Sequence, residues 1–438
     1  DLARRGEDEA WRNTSVLLNN LTLLFLALVA LGWFLAPWLA RLVGLGFDDA
    51  TAELSSSLTR ILLVGVVLVG AATFLSQLWH SYAAFVAPGL AGIAANLGMA
   101  AGIVILAHGW GVYGLAIAVV IGNVAQLVIQ LPIVWRHRHA YEMRVDFRHP
   151  GMREMWDLSL PVFVSTGGFQ IDRLTDRFFA SLLPAGSLTS LVFARLLAAF
   201  PEKILFKPFQ KTTFPHFTRL IAEEKTAALS RQLFQYIRLL VFLSVPAAAG
   251  MILLGDVVVE VVYQRGAFDD RAVQLTTQAL GWYAVGLPAA FVGHALSNTF
   301  IGLKNTKTVM RLSLFRIGVK IALSFALIPV LSHGGIALAE SISHMLRTAL
   351  LFWRLPSEIR ARETWATARS IAGTFVATGV MVMAIMGLRT TSDGALNMIA
   401  ELAFLVPLGA GVYFATSWLA RQAEVEWIGR SLTAIARR

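Results

Sequence analysis

The sequence predicts an all-α polytopic membrane protein, and three observations carry that prediction. Hydrophobic residues make up 56% of the 438 positions and charged ones only 15%, against about 45–50% and ~25% in soluble domains. Mean hydropathy is +0.65. The apolar residues gather into runs of about 20 or more, the length a bilayer core demands of a helix. Runs such as Ile61-Leu62-Leu63-Val64-Gly65-Val66-Val67-Leu68-Val69 are continuous. They lack the alternation of a membrane β-barrel, which leaves helices as the way to satisfy the backbone in lipid. Cysteine is absent, excluding disulfides, thiolate metal sites and cysteine nucleophiles. A formal charge of +10 in such a chain is a topology signal, and no nucleic-acid partner is expected.

Twelve spans follow in order. Residues 1–16 form a cytoplasmic connector. Spans 17–43, 58–86, 90–107 and 112–134 make the remainder of a first lobe, 17–134. A basic cytoplasmic linker, 135–154, leads to a second lobe, 155–355, with spans 155–182, 187–215, 232–262, 273–303, 309–331 and 333–355. A cytoplasmic loop, 356–366, precedes a final pair, 367–388 and 395–420, and a basic tail, 421–438. With the N-terminal side inside, most Lys and Arg fall in inside segments, from Arg4, Arg5 and Arg12 to Arg430, Arg437 and Arg438. Outside segments hold only Arg41, Arg265, Arg271 and Arg389, with Arg60 at a helix mouth. This asymmetry places the C-terminus in the cytoplasm.

Two stretches resemble each other at an offset of 221 residues. Gly114-Leu115-Ala116-Ile117-Ala118 aligns with Gly335-Ile336-Ala337-Leu338-Ala339, Leu75-Ser76 with Leu296-Ser297, and Gly65 with Gly286. Repeats of this kind mark transporters whose halves rock around a central site. A six-helix repeat keeps both copies in one orientation, so the lobes are expected to be related by a pseudo-two-fold along the membrane normal. Nothing in the first half matches 155–182 and 187–215. The expectation is therefore a fourteen-helix protein (six, six and two) whose first two helices are missing from this sequence.

Ionisable groups at bilayer depth cost at least ~2.5–3.5 kcal/mol each, so they are the candidate functional residues. Asp172 and Asp176 lie one turn apart, with Arg173 and Arg177 on the adjoining face. The partner span carries Arg195, Glu202, Lys203, Lys207 and Lys211. The three lysines recur every four residues, a basic stripe ~12 Å long by helix rise. Two readings stand. Arg195 and Lys203, with Arg173, Arg177 and Lys207, line a wet cavity for an anionic headgroup. Alternatively, Asp172, Asp176, Arg173 and Arg177 pair locally while Lys207 and Lys211 snorkel to the interface. Arg316 and Lys320, one turn apart, face the span of Glu340 and Arg347 and are expected to be structural or coupling charges. His80, His108, His294, His333 and His344 have no metal-ligand grouping, and no metal is expected. Neither a Walker Gly-x-x-x-x-Gly-Lys-[Ser/Thr] nor a His-Glu-x-x-His is present, which points to a transporter rather than an enzyme.

Several stretches resemble the MurJ/MviN lipid flippases of bacteria, in the multidrug/oligosaccharidyl-lipid/polysaccharide transporter superfamily. The most specific is Asp176-Arg177-Phe178-Phe179-Ala180-Ser181-Leu182-Leu183-Pro184-Ala185-Gly186-Ser187. Tyr263-Gln264-Arg265-Gly266-Ala267-Phe268-Asp269 is the second; Gly114-Leu115-Ala116 with Gln130-Leu131-Pro132, and Phe85-Val86-Ala87-Pro88 with Asn96-Leu97, are also similar. The resemblance implies a monomeric bacterial inner-membrane protein that flips lipid II, a polyprenyl-pyrophosphate-linked glycan, to the outer leaflet by alternating access. Membrane lipids and the cell-wall synthesis machinery are its implied partners. It implies that basic residues receive the pyrophosphate and that spans 367–388 and 395–420 form a groove for the lipid tail. The sequence departs from the family in two places. Ala194-Arg195-Leu196 shifts the family's arginine by one position, about 100° around the helix, and drops an aspartate. Arg316 and Lys320 stand where some members use acids or amides to bind sodium, so sodium is not expected there. One of the two cations is expected to pair with Asp176 or Glu340 instead, and membrane potential is the expected energy source. The rival readings are an exporter of another polyprenyl-linked saccharide or a drug, and a non-transporting scaffold for cell-wall assembly.

Overall fold

The computed structural model describes residues 7–82, 84–148, 151–152, 155–156, 170, 172–206, 217, 219–221, 223–360, 364–389 and 395–427. These residues are helical apart from their connections. The chain divides into two compact units, Asp1–Gly167 and Gly168–Arg438.

In the first unit, α1 (Glu7–Val43), α2 (Asp49–Ser81) and α3 (Val86–Gln130) pack in sequence, and the short α4 (Pro132–Arg136) follows. Both α1 and α2 begin about nine residues before the predicted spans. The acid Asp49 in the first turn of α2 suits a helix N-terminus, so this helix starts ahead of its apolar run. Asp48 caps α2 by accepting from Thr51 N at 3.3 Å. Trp11, Leu75 and Ile133 close one end; Trp11 donates to Tyr82 Oη at 2.7 Å and stacks on His137 at 4.4 Å. The stretch read as a linker is pinned to α1. Buried Asn20 donates to Asp146 O at 2.7 Å and accepts from Asp146 N at 2.9 Å, while Asn19 Nδ2 donates to Glu142 O at 2.8 Å. A peptide group taken from water needs such partners, and two adjacent asparagines on an apolar helix supply them.

The second unit holds α5 (172–181), α6 (Ser187–Pro201), α7 (Thr226–Tyr263), α8 (Asp270–Gly302), α9 (Thr306–Leu331), α10 (His333–Arg354), α11 (Ser357–Arg360), α12 (Thr364–Leu388) and α13 (Ala395–Leu419). Gly186, at φ +93°, makes the turn into α6; only glycine adopts this region freely. Pro201 ends the α-helical part of α6, and the chain widens into a π turn over Glu202–Phe206. In the centre, α8 packs against α6, α7 and α10. Leu233, Leu240, Phe291, Phe300 and Leu351 form one core, and Phe179, Leu191, Leu280 and Ile336 another. The terminal pair is bound to α7 through Phe242, Met381 and Leu405. Tyr413 Oη donates to Phe242 O at 2.7 Å, and Arg389 bonds Asp256 and, at 2.7 Å, Leu253 O.

Among the described residues, eight helices are long and apolar enough to cross a membrane. Predicted spans 90–107 and 112–134 are joined in the single kinked α3. Helix α10 falls below that hydropathy because Glu340, His344 and Arg347 lie on it. Residues 157–169 and 171 of span 155–182, and 207–215 of span 187–215, lie outside the described residues.

The 221-residue repeat is visible in the backbone itself. Gly111, the kink of α3, has φ 52° and ψ −129°; Ser332, 221 positions on, joins α9 to α10 with φ 51° and ψ −131°. A Cβ on Gly114 would stand 2.5 Å from Leu106 O, and one on Gly335 would stand 2.7 Å from Leu327 O. All three pairs keep the same offset. The aligned glycines are there because two helices turn back on each other at contact distance.

Candidate functional site

Among the described residues of the second unit, six charged side chains meet in one place. One turn apart on α5, Asp172 and Asp176 face Arg316 and Lys320, one turn apart on α9. Arg316 Nη2 donates to Asp172 Oδ2 at 2.9 Å. Lys320 Nζ stands 3.1 Å from Asp172 Oδ1, 2.6 Å from Asp176 Oδ1 and 3.4 Å from Glu340 Oε2 on α10. From α6, Arg195 Nη2 donates to Asp176 Oδ2 at 2.6 Å and to Glu340 Oε2. The same nitrogen donates to Tyr283 Oη on α8 at 3.1 Å, and the guanidinium carbon lies 5.2 Å from the tyrosine ring centre. Five helices thus converge on six charges.

The balance is three acids against three bases. An isolated buried charge is expelled or neutralised, whereas here each carboxylate stands within ion-pair distance of at least one base. The set is graded in access. Side-chain exposure is 0% for Lys320, 8% for Arg316 and 34% for Arg195. Lys320 and Arg316 are therefore held inside the protein, while Arg195 reaches from the network to its surface. Arg316 keeps one buried nitrogen, Nη1, without a hydrogen-bond partner.

The expected pairing of Arg316 or Lys320 with Asp176 or Glu340 is present: Lys320 meets both acids. Arg195 sits in the same network and not by itself in a cavity. Arg173 and Arg177 point away from the hexad, with both side chains exposed; the acids of α5 pair across helices and not with these neighbours. Lys203 is exposed and Glu202 half-buried on the π turn. Lys207 and Lys211 lie outside the described residues. Tyr283 is a member that sequence reasoning missed. A single hydroxyl on a helix with mixed polarity gave no periodic signal to find it by.

A family model, MurJ: Lipid II flippase MurJ, matches residues 3–406. The chain belongs to this family. Among relatives of the MurJ family, the probable lipid II flippase MurJ of Rhizobium meliloti (strain 1021) is 25% identical, over 99% of this chain and 83% of the relative. The lipid II flippase MurJ of Burkholderia cenocepacia is 23% identical, over 88% and 77%. A solved lipid II flippase MurJ in an inward closed conformation shares the fold with a TM-score of 0.78 at 20% identity, covering 96% of this chain and 86% of that one. An inward-facing multidrug resistance MATE family transporter of the MOP superfamily aligns with a TM-score of 0.69 at 16% identity, covering 82% and 83%. The predicted all-helical transporter fold is the fold of these proteins, and the resemblance read from the motifs at Asp176–Ser187 and Tyr263–Asp269 is membership of the MurJ family.

Proposed function

We propose that this chain is a lipid II flippase that carries the polyprenyl-pyrophosphate-linked glycan from the cytoplasmic to the outer leaflet by alternating access. Membership of the MurJ family supports the substrate, and one observation in the site carries the mechanism: Arg195 is the most exposed of the three bases in the hexad. A guanidinium binds phosphate oxygens through paired, charge-assisted hydrogen bonds. On arrival of the headgroup, Arg195 exchanges Asp176 and Glu340 for the pyrophosphate. Lys320 stays behind, 2.6 Å and 3.4 Å from those two acids, and keeps them compensated. Lys203, Arg173 and Arg177 lie outside the exchange and serve as an approach path of positive charge.

Lys320 also bears on energy coupling. Its ammonium occupies the point between three carboxylates that a free cation would take, so the transport step runs without sodium and the membrane potential drives it. The protein works as a monomer in the bacterial inner membrane with its C-terminus cytoplasmic, and no catalytic step is part of the cycle. Reconstitution of the full-length protein into vesicles with fluorescent lipid II tests the assignment; protein-dependent translocation supports it, and leakage-only rates overturn it.

A second reading, a non-transporting scaffold for cell-wall assembly, is favoured by one specific observation. The hexad's bases are matched one for one by acids, leaving no surplus positive charge for a pyrophosphate. The same vesicle measurement separates the two.

A further inference from the structure

A cleft away from the hexad lies where the chain folds back after α13. Arg421 takes φ 52° and turns the chain, so that 423–427 lie against α7. Gln235, Arg238, Leu239, Ala423, Glu424 and Trp427 line the cleft. Glu424 is 6% exposed. Its Oε1 accepts from Ser370 Oγ at 2.8 Å and stands 3.5 Å from Arg238 Nε. Its Oε2 is buried with no hydrogen-bond partner, and Arg238 Nε likewise lacks a bond of proper geometry. A carboxylate oxygen taken from water without a donor carries the full cost of its desolvation, so a donor brought to this oxygen is favoured.

We propose that this cleft binds the headgroup of an amine-bearing zwitterionic phospholipid, with the ammonium on Glu424 Oε2 and the phosphate on Arg238. The charges fit this class. One acid beside one base matches a zwitterion, whereas an anionic headgroup would bring its phosphate to Arg238 and leave Glu424 unmet. The donor requirement narrows the choice further, because a primary ammonium offers three N–H donors and a trimethylated one none. The position fits a lipid: the cleft sits just past the last turn of a membrane helix, and Trp427, 36% exposed, is the residue type that settles at headgroup level.

Native mass spectrometry of the full-length protein, with phosphatidylethanolamine, its N-methylated series and phosphatidylglycerol of identical acyl chains, tests the proposal on the wild-type chain. The expected result is retention that falls stepwise with methylation, about tenfold from the primary to the trimethylated amine, the change expected for one charge-assisted hydrogen bond. Glu424→Gln should erase that preference, and Arg238→Gln should weaken all phospholipids together. Soluble phosphorylethanolamine at equal concentration should not displace the lipid; displacement would reassign the cleft to a free phosphoamine and overturn the lipid source. Equal retention across the methylation series, stronger retention of phosphatidylglycerol, or an unchanged preference in Glu424→Gln would overturn the headgroup assignment.

Discussion

Lys320 Nζ stands 2.6 Å from Asp176 Oδ1, with the lysine side chain fully buried. Removing one partner of such a pair strands the other, at a cost of about 3–5 kcal/mol. Lys320→Met should therefore lower stability in detergent by that amount. Adding Asp176→Asn should recover part of it, so that the double variant is less unstable than the two single losses together. Additive losses in thermal unfolding would show that the two side chains do not act as a pair.

In the proposed cycle the lysine takes the place of a coupling cation. Replacing sodium by choline should leave lipid II translocation unchanged, while collapsing the membrane potential should stop it. Transport that rises with sodium concentration would remove Lys320 from this role.

Ser332 holds φ 51° without being glycine, a conformation costing on the order of 1 kcal/mol or more for a residue with a Cβ. Ser332→Gly should raise the unfolding free energy by about 1 kcal/mol, and Gly111→Ala at the equivalent pivot should lower it by a similar amount. Gly335→Ala should be worse, since its Cβ would sit 2.7 Å from the backbone of Leu327. Circular-dichroism melts of the three variants check the order.

In the loop before α7, hydrogen bonds from Lys225 and Arg219 hold the Glu223 carboxyl down at about 2, against an ordinary 4.5. A depressed carboxylate contributes stability that is present above its ordinary value and fades as pH falls toward 2. The loop should thus keep its ion pairs at pH 4. A carbon-13 titration of the Glu223 carboxyl should show a midpoint well below 4, moving upward in Arg219→Gln; a midpoint near 4.5 in the wild-type chain would contradict the contacts.

Much of this molecule was legible in the sequence because lipid imposes long apolar runs, and the 221-residue offset proved accurate down to the dihedrals of Gly111 and Ser332. The pairing of Lys320 was legible as well, since a buried cation needs an acid and Asp176 and Glu340 stood at comparable depth. The full hexad was not. Whether Arg195 turns to a cavity or to Asp176 depends on a rotation of α6 about its axis, which local sequence leaves open. The clasp of Asn20 on Asp146 and the cleft at Arg238 and Glu424 join residues 126 and 186 positions apart, distances at which composition and periodicity carry no information.

In the proposed cycle Arg195 exchanges its acids for the substrate pyrophosphate. Complementation of a flippase-depleted bacterium by the full-length protein tests it most directly, with wild type, Arg195→Ala and Arg195→Lys compared at equal membrane abundance. Wild type should give growth and normal shape, alanine should fail, and lysine, which keeps the charge and loses the paired hydrogen bonds, should rescue weakly. Full rescue by Arg195→Ala would contradict the exchange.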